Sequence, residues 1–252
     1  MTAHASLSMT AFTATSCLGV GLTESLNGLL SQRSGLAPCQ FDTVDLPTHV
    51  GAVDVAVDEV ILPAHLQVFD CRNNRLAFLG LQQDGFMDAV EKARRRFGEM
   101  KIGVFLGTST SGMLQTEKGY RELDPNTGAL PAWLHYQYTQ NTYSVAHFVR
   151  SALKLSGPAA VVSTACSSSA KVFAMAQRML LLGVIDVASD KVESAEDIAG
   201  VIAAVTGSSI AVTGSIAADG PAMALASTAI LLALRYRREP STGRAVLTGP
   251  QQ

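Results

Sequence analysis

A cysteine placed where a buried strand gives way to a helix is the feature of this sequence with the clearest chemical use. Gly157-Pro158-Ala159-Ala160-Val161-Val162-Ser163-Thr164-Ala165-Cys166-Ser167-Ser168-Ser169-Ala170 reads as an apolar strand, a turn of small residues, and a helix opening at Cys166. A thiol at a helix N-terminus faces unpaired backbone N–H groups and the positive end of the helix dipole, and both stabilise a thiolate. The same N–H groups can hold the oxyanion formed when a thiolate attacks a carbonyl. Small neighbours leave room for a thioester to approach. On the residues alone a second reading stands level with this one: Cys166 as an inert, buried small residue.

The remaining candidates carry weaker chemistry. Cys17, Cys39 and Cys71 lie far apart, with no C-x-x-C and no Cys/His pair at ligand spacing, so neither a metal site nor a disulfide framework is expected. Reduced thiols of a cytoplasmic protein are the simplest reading, and the N-terminus lacks the basic start and apolar core of a signal peptide. Gly107-Thr108-Ser109-Thr110-Ser111-Gly112 has neither G-x-S-x-G spacing nor a closing G-K-[ST], so it reads as a loop at a strand end. Trp133 to Tyr138 concentrates aromatics and is read as a contact surface rather than as catalytic. His147, among Val145, Phe148 and Val149, is read as structural. Arg94-Arg95-Arg96 is read as a solvated helix end that complements the dipole.

These residues need elements to position them. The pattern predicts strands over 7–13, 51–57, 101–107, 159–162 and 184–188, and helices over 23–31, 74–97, 141–155 and 166–182. The long 74–97 pattern should break near Asp84-Gly85, and Gly35 should close the first helix. Strands alternating with helices, with mostly apolar strands, predict an α/β fold with a mixed sheet covered by helices.

After residue 188 the character changes. Residues 198–218 carry no charge, and Ala-Val-Thr-Gly-Ser occurs twice, at 204–208 and 211–215. As a helix this run would span about 31 Å, a bilayer's hydrocarbon thickness. Its Ala, Ser, Thr and Gly content argues against a membrane span and for a small-residue helix or two short strands packed on the α/β body. Ala222 to Leu234 is read as a second apolar helix, and 240–252 as a loose end. Across all 252 residues, 48% are hydrophobic and 16% charged, which excludes disorder for most of the length. A net charge of -2 argues against a nucleic-acid binder.

Thr164-Ala165-Cys166-Ser167-Ser168-Ser169 closely resembles the nucleophile motif of the β-ketoacyl-acyl-carrier-protein synthases, condensing enzymes of the thiolase-like fold. The resemblance runs in order through Gln32-Arg33-Ser34-Gly35-Leu36, Arg72 to Ala89, Lys101 to Ser109, and Gly183 to Ala188. It implies a thiolase-like layered fold for residues 1–188 and makes Cys166 the acyl-accepting nucleophile. It places Gly107, Thr108, Ser109, Thr164 and Ser167 near the acyl group. It implies no metal and no dissociable cofactor, the substrate arriving on the phosphopantetheine arm of an acyl carrier protein in fatty-acid or polyketide-like elongation. It implies a homodimer, or a heterodimer with a ketosynthase, paired through the strand before the nucleophile.

The sequence departs from the family after Cys166. The family's decarboxylating histidines follow the nucleophile, whereas His4, His49, His65, His135 and His147 all precede Cys166 here. Residues 189–252 form an unassigned apolar tail, of the kind a frameshift, a gene fusion or an internal deletion would produce. The expectation is acyl transfer without condensation. Its alternatives are a non-catalytic partner that dimerises with a complete ketosynthase and a fragment without function.

Overall fold

The computed structural model describes residues 6–40, 45–53, 56–108, 110–185, 201–207 and 228–237, the last two stretches as backbone. One six-stranded mixed sheet organises them, in the order β2-β1-β8-β7-β5-β6. Its strands are β1 (Ser6–Ser16), β2 (Gly19–Val20), β5 (Gly103–Gly107), β6 (Ala159–Val162), β7 (Val201–Gly207) and β8 (Thr228–Arg237). β5 runs parallel to both β6 and β7, and β8 is antiparallel to β7 and β1. A two-stranded ribbon, β3 (Ala37–Pro38) with β4 (His49–Val50), stands apart from it.

Side-chain alternation along β5 and β6 assigns the two faces of the sheet. Val104 and Leu106, with Ala159 and Val161, face one cluster. Helices α3 (Arg72–Leu81), α4 (Phe86–Phe97) and α6 (Ser144–Ala152) cover that face. Each helix turns one stripe inward, as in Phe86, Val90 and Ala93 of α4, or Val145, Phe148, Val149 and Ala152 of α6. Phe105, with Ala160 and Val162, points the other way, against Val172, Ala176 and Leu180 of α7 (Ser168–Leu181) and against Ile185. Farther along that second face, the Phe12 side chain of β1 remains half exposed.

Most expected elements are present. β6 has the expected bounds, and β5 starts two residues later than expected but ends at the expected Gly107. The 74–97 pattern does break at Asp84 (φ 55°) and Gly85 (φ 68°), separating α3 from α4. The 23–31 helix is α1 (Leu22–Leu30), but Gln32 rather than Gly35 takes the left-handed conformation after it. Gly35 answers a different demand, because a Cβ there would lie 2.5 Å from Cys17 Sγ and 2.7 Å from its carbonyl oxygen.

Four expectations are corrected. The described residues of the 51–57 stretch form no strand, 54 and 55 lie outside them, and Ala56–Glu59 forms a short helix, α2. Val53 and Val57 are buried together with Leu76 and Leu79, so their spacing reflected burial and not extension. The 141–155 helix is shorter, starting at Ser144 after a π-helical turn, Tyr136–Gln140. Of the helix expected over 222–234, residues 228–234 belong to strand β8 and 222–227 lie outside the described residues; a short apolar run reads equally well as a buried strand. Val184 and Ile185 form no strand, and the rest of the 184–188 stretch lies outside the described residues, as does 240–252. β7 matches the short strands expected for the apolar run, and the two tail strands occupy the middle of the sheet, between β1 and β5.

Candidate active site

β5 and β6 end side by side. Gly107 pairs with Val162, and the Thr108 N–H donates to the Val162 carbonyl at 3.2 Å. The C-terminal edge of parallel strands is where open α/β sheets present their ligand sites. From Val162 the chain passes through Ser163 and Thr164 into a 3₁₀ turn, Ala165–Ser167, and directly into α7. The backbone of Cys166 sits in that turn, at the N-terminal end of a 14-residue helix. The backbone at residue 166 thereby lies at the positive end of the helix dipole.

The turn is held in an unusual conformation. Ala165 has φ 51°, a left-handed geometry that costs an L-residue with a Cβ about 1–2 kcal/mol. A hydroxyl network spans it. Ser168 Oγ accepts from the Thr164 N–H at 2.9 Å and donates to the Ala165 carbonyl at 2.8 Å. Ser167 Oγ donates to the Thr164 carbonyl at 2.9 Å and lies 3.0 Å from Thr164 Oγ1. Thr164, Ala165 and Ser167 face solvent, whereas Ser168 is 3% exposed.

The end of β5 forms the seat of this helix. A Cβ at Gly107 would lie 2.9 Å from Val172 Cγ2 and 3.0 Å from the Ser168 backbone, so only glycine lets the strand end and the helix start approach so closely. Thr108, buried beside it, donates from Oγ1 to the Thr110 carbonyl at 2.7 Å. Farther along the loop, Ser111 is buried among Asn73, Thr139 and Ser144, donating to the Thr139 carbonyl at 3.2 Å and lying 3.1 Å from Ser144 Oγ. Gly112 (φ 59°) passes against the Thr139 carbonyl.

Of the expected site residues, the fold thus brings Gly107 and Thr108 to the start of the Cys166 helix, and places Thr164 and Ser167 in the turn itself. Ser109 and the Cys166 side chain lie outside the described residues. Ser168 and the Ser111 cluster escaped notice. Ser168 lies inside the cysteine motif, but a run of three serines gives no sign of which hydroxyl turns inward.

The other groups separate by environment. Burial pushes the Cys71 thiol up to about 11, and burial also raises that of Cys17. His147 packs edge-on to Phe69 at 4.9 Å and stacks on Tyr143, which fits a structural role; burial lowers its pKa, and Arg150 adds to the effect. Arg94 and Arg95 both bind Glu91, holding its carboxyl down at about 2. That run leads into the start of β5, the end of the strand away from Cys166. Trp133 donates to Glu122 at 2.8 Å on an exposed surface with Tyr136. Among the described residues, no three His, Cys, Asp or Glu side chains are grouped to hold a metal ion, and no helix is long and apolar enough to cross a membrane.

The family profile described as "Beta-ketoacyl synthase, N-terminal domain" matches residues 6–189. The chain belongs to this family. Solved ketosynthases share its thiolase-like fold. One is the ketosynthase ApeO in complex with its chain length factor ApeC from Xenorhabdus doucetiae, 22% identical with a TM-score of 0.67. The alignment covers 95% of this chain and 60% of that one. The ishigamide ketosynthase/chain length factor is 15% identical, with a TM-score of 0.64, over 91% of this chain and 62% of that one. A β-ketoacyl synthase from Burkholderia phymatum STM815 is 14% identical, with a TM-score of 0.59, over 92% and 59%. The chain therefore spans about three-fifths of the length of these relatives. Among curated proteins no significant match was found.

Proposed function

We propose that this chain is an acyltransferase of the β-ketoacyl-acyl-carrier-protein synthase type, with Cys166 as acyl acceptor. The observation that carries this reading is the backbone of Cys166 in a tight turn at the start of α7, beyond the C-terminal ends of β5 and β6. The Cys166 thiolate attacks the carbonyl carbon of an acyl thioester on the phosphopantetheine arm of an acyl carrier protein. The bond to the pantetheine sulfur breaks, that sulfur leaves as a thiolate and takes up a proton, and a new thioester joins the acyl group to Cys166. Gly107, Thr108, Ser109, Thr164 and Ser167 form the surroundings of that acyl group. No metal or dissociable cofactor takes part, and the reaction serves fatty-acid or polyketide-like elongation in the cytoplasm.

Condensation needs groups that decarboxylate a malonyl unit, and no histidine follows Cys166 in these 252 residues. The reading therefore stops at acyl transfer. It divides the chain into 1–188, ketosynthase-like, and 189–252, an unassigned tail of the kind a frameshift, a gene fusion or an internal deletion would produce. The match ending at residue 189 supports that division.

A second reading is favoured by β6. It is the last strand of the sheet, apolar and without charge, and an edge of that kind invites pairing. In this reading the chain serves as the dimer partner of a complete ketosynthase, or pairs with a second copy of itself. Two of the similar structures are ketosynthases with a chain length factor, which is in keeping with a heterodimer. Intact-mass analysis after incubation with an acyl-carrier thioester separates the two. A one-acyl mass increase that Cys166→Ser abolishes supports the transferase; no increase, with co-purification of a ketosynthase, supports the partner.

A further inference from the structure

We propose that Ser168 is a positioning residue for the Cys166 nucleophile, acting through the backbone of the turn; the proposal rests on the reading of Cys166 as acyl acceptor. A serine at the N-cap turns its hydroxyl forward, to cap N–H groups of the first turn, but Ser168 is the residue after the N-cap. Ser168 turns backward. Its Oγ takes the Thr164 N–H and gives its proton to the Ala165 carbonyl, so one buried hydroxyl ties together the two residues that precede Cys166. The N-cap of α7, Ser167, makes no side-chain capping bond either, so the hydroxyls here serve the turn and leave the helix N–H groups open.

That tie opposes a definite tendency. Ala165 at φ 51° gains by relaxing to an ordinary backbone conformation, and nothing in an alanine side chain resists that. Thr164 and Ser167 hold the turn from its exposed side, where water competes for the same hydroxyls. Ser168 works from the buried side, where water does not. Its backbone packs close over the end of β5, where a Cβ at Gly107 would lie 3.0 Å from it. With this hydroxyl removed, the Ala165 carbonyl and the Thr164 N–H lose their shared partner and the turn relaxes. Cys166 then no longer meets the helix N-terminus in the arrangement that favours its thiolate.

The test uses the full chain and the rate of Cys166 alkylation by iodoacetamide across pH 6 to 10, followed by peptide mapping. Ser168→Ala is expected to slow Cys166 labelling about tenfold near neutral pH, the factor for losing two modest hydrogen bonds, and to move the labelling midpoint to higher pH. Ser168→Thr, which restores a hydroxyl, is expected to label close to the parent rate. Cys71 reports on the fold and should stay protected in both variants. An unchanged rate and midpoint in Ser168→Ala overturns the proposal, and so does loss of Cys71 protection, which would make Ser168 merely structural. If Cys166 of the parent chain labels no faster than Cys39, the nucleophile reading itself fails, and that result is distinct from the other two.

Discussion

Asp84 Oδ2 accepts a 2.6 Å hydrogen bond from the hydroxyl of Thr13, 71 residues earlier in the chain. The same carboxylate accepts from the Leu22 N–H, at 3.0 and 3.2 Å from its two oxygens, and so caps α1 from outside that helix. One side chain, in the turn between α3 and α4, thereby fixes β1 and the start of α1. Thr13 is fully buried, and Asp84 adopts a left-handed backbone that asparagine also tolerates.

This makes Asp84 separable into charge and conformation. Asp84→Ala should destabilise the chain by about 1–3 kcal/mol, because it leaves the buried Thr13 hydroxyl without its partner. Asp84→Asn keeps an acceptor oxygen and the backbone preference, and should cost less. Urea unfolding followed by circular dichroism measures both; an unchanged midpoint for the alanine variant refutes the account.

The four thiols should separate by reactivity. Cys166 is expected to label first with limiting iodoacetamide, and Cys71 last, since burial holds Cys71 near 11 and blocks reagent access. Cys17, also raised by burial, should be slow. Equal labelling of all four in the folded protein would contradict the assignment.

His147 should give the stability a pH dependence of known sign. Burial favours its neutral form in the folded state, so its folded pKa lies below the ordinary 6.5. Between the two values the unfolded chain binds more protons, and stability falls as pH drops from neutrality through that interval. His147→Phe keeps a ring against Phe69 and should flatten this part of the profile in thermal melts between pH 5 and 7.5.

The 252-residue chain should not release CO2 from malonyl-carrier protein at an enzymatic rate of about 10 per second. No histidine follows Cys166 to assist decarboxylation. Labelled CO2 appearing at such a rate would place the needed groups elsewhere in the chain.

Deleting 189–252 should cause aggregation. The deletion removes β7 and β8, and with them every ladder between β1 and β5. It exposes two new strand edges in addition to β6. Sedimentation of the 1–188 chain as a well-behaved monomer would show that its two sheet fragments need no bridging.

The site was legible where chemistry dictates residue type. A cysteine between an apolar strand and a helix is visible in letters alone, and the strand-end glycine at 107 fell within the recognised stretch. The support beneath it was not visible. Nothing distinguishes Ser168 from Ser167 or Ser169 until the helix phase turns one hydroxyl inward. Likewise, Val53 and Val57 suit a strand or a helical turn equally, and Thr228 to Arg237 suits a helix or a strand. The partner decides in each case: Leu76 and Leu79 for the valines, β1 and β7 for the last strand. Gly35 was noticed for the wrong reason, because close approach to Cys17 depends on residues 18 positions away.

The pairing of β1 with β8 also sets the order of events on the ribosome. Ser6 lies opposite Arg237, so β1 must wait for β8, synthesised long after it, before that edge can enter the sheet. At about 5–20 residues per second, that interval is on the order of ten to fifty seconds. Throughout it β1 offers an open ladder to any extended neighbour, and the closing step joins strands far apart in sequence, which predicts slow maturation and dependence on holdase chaperones during synthesis.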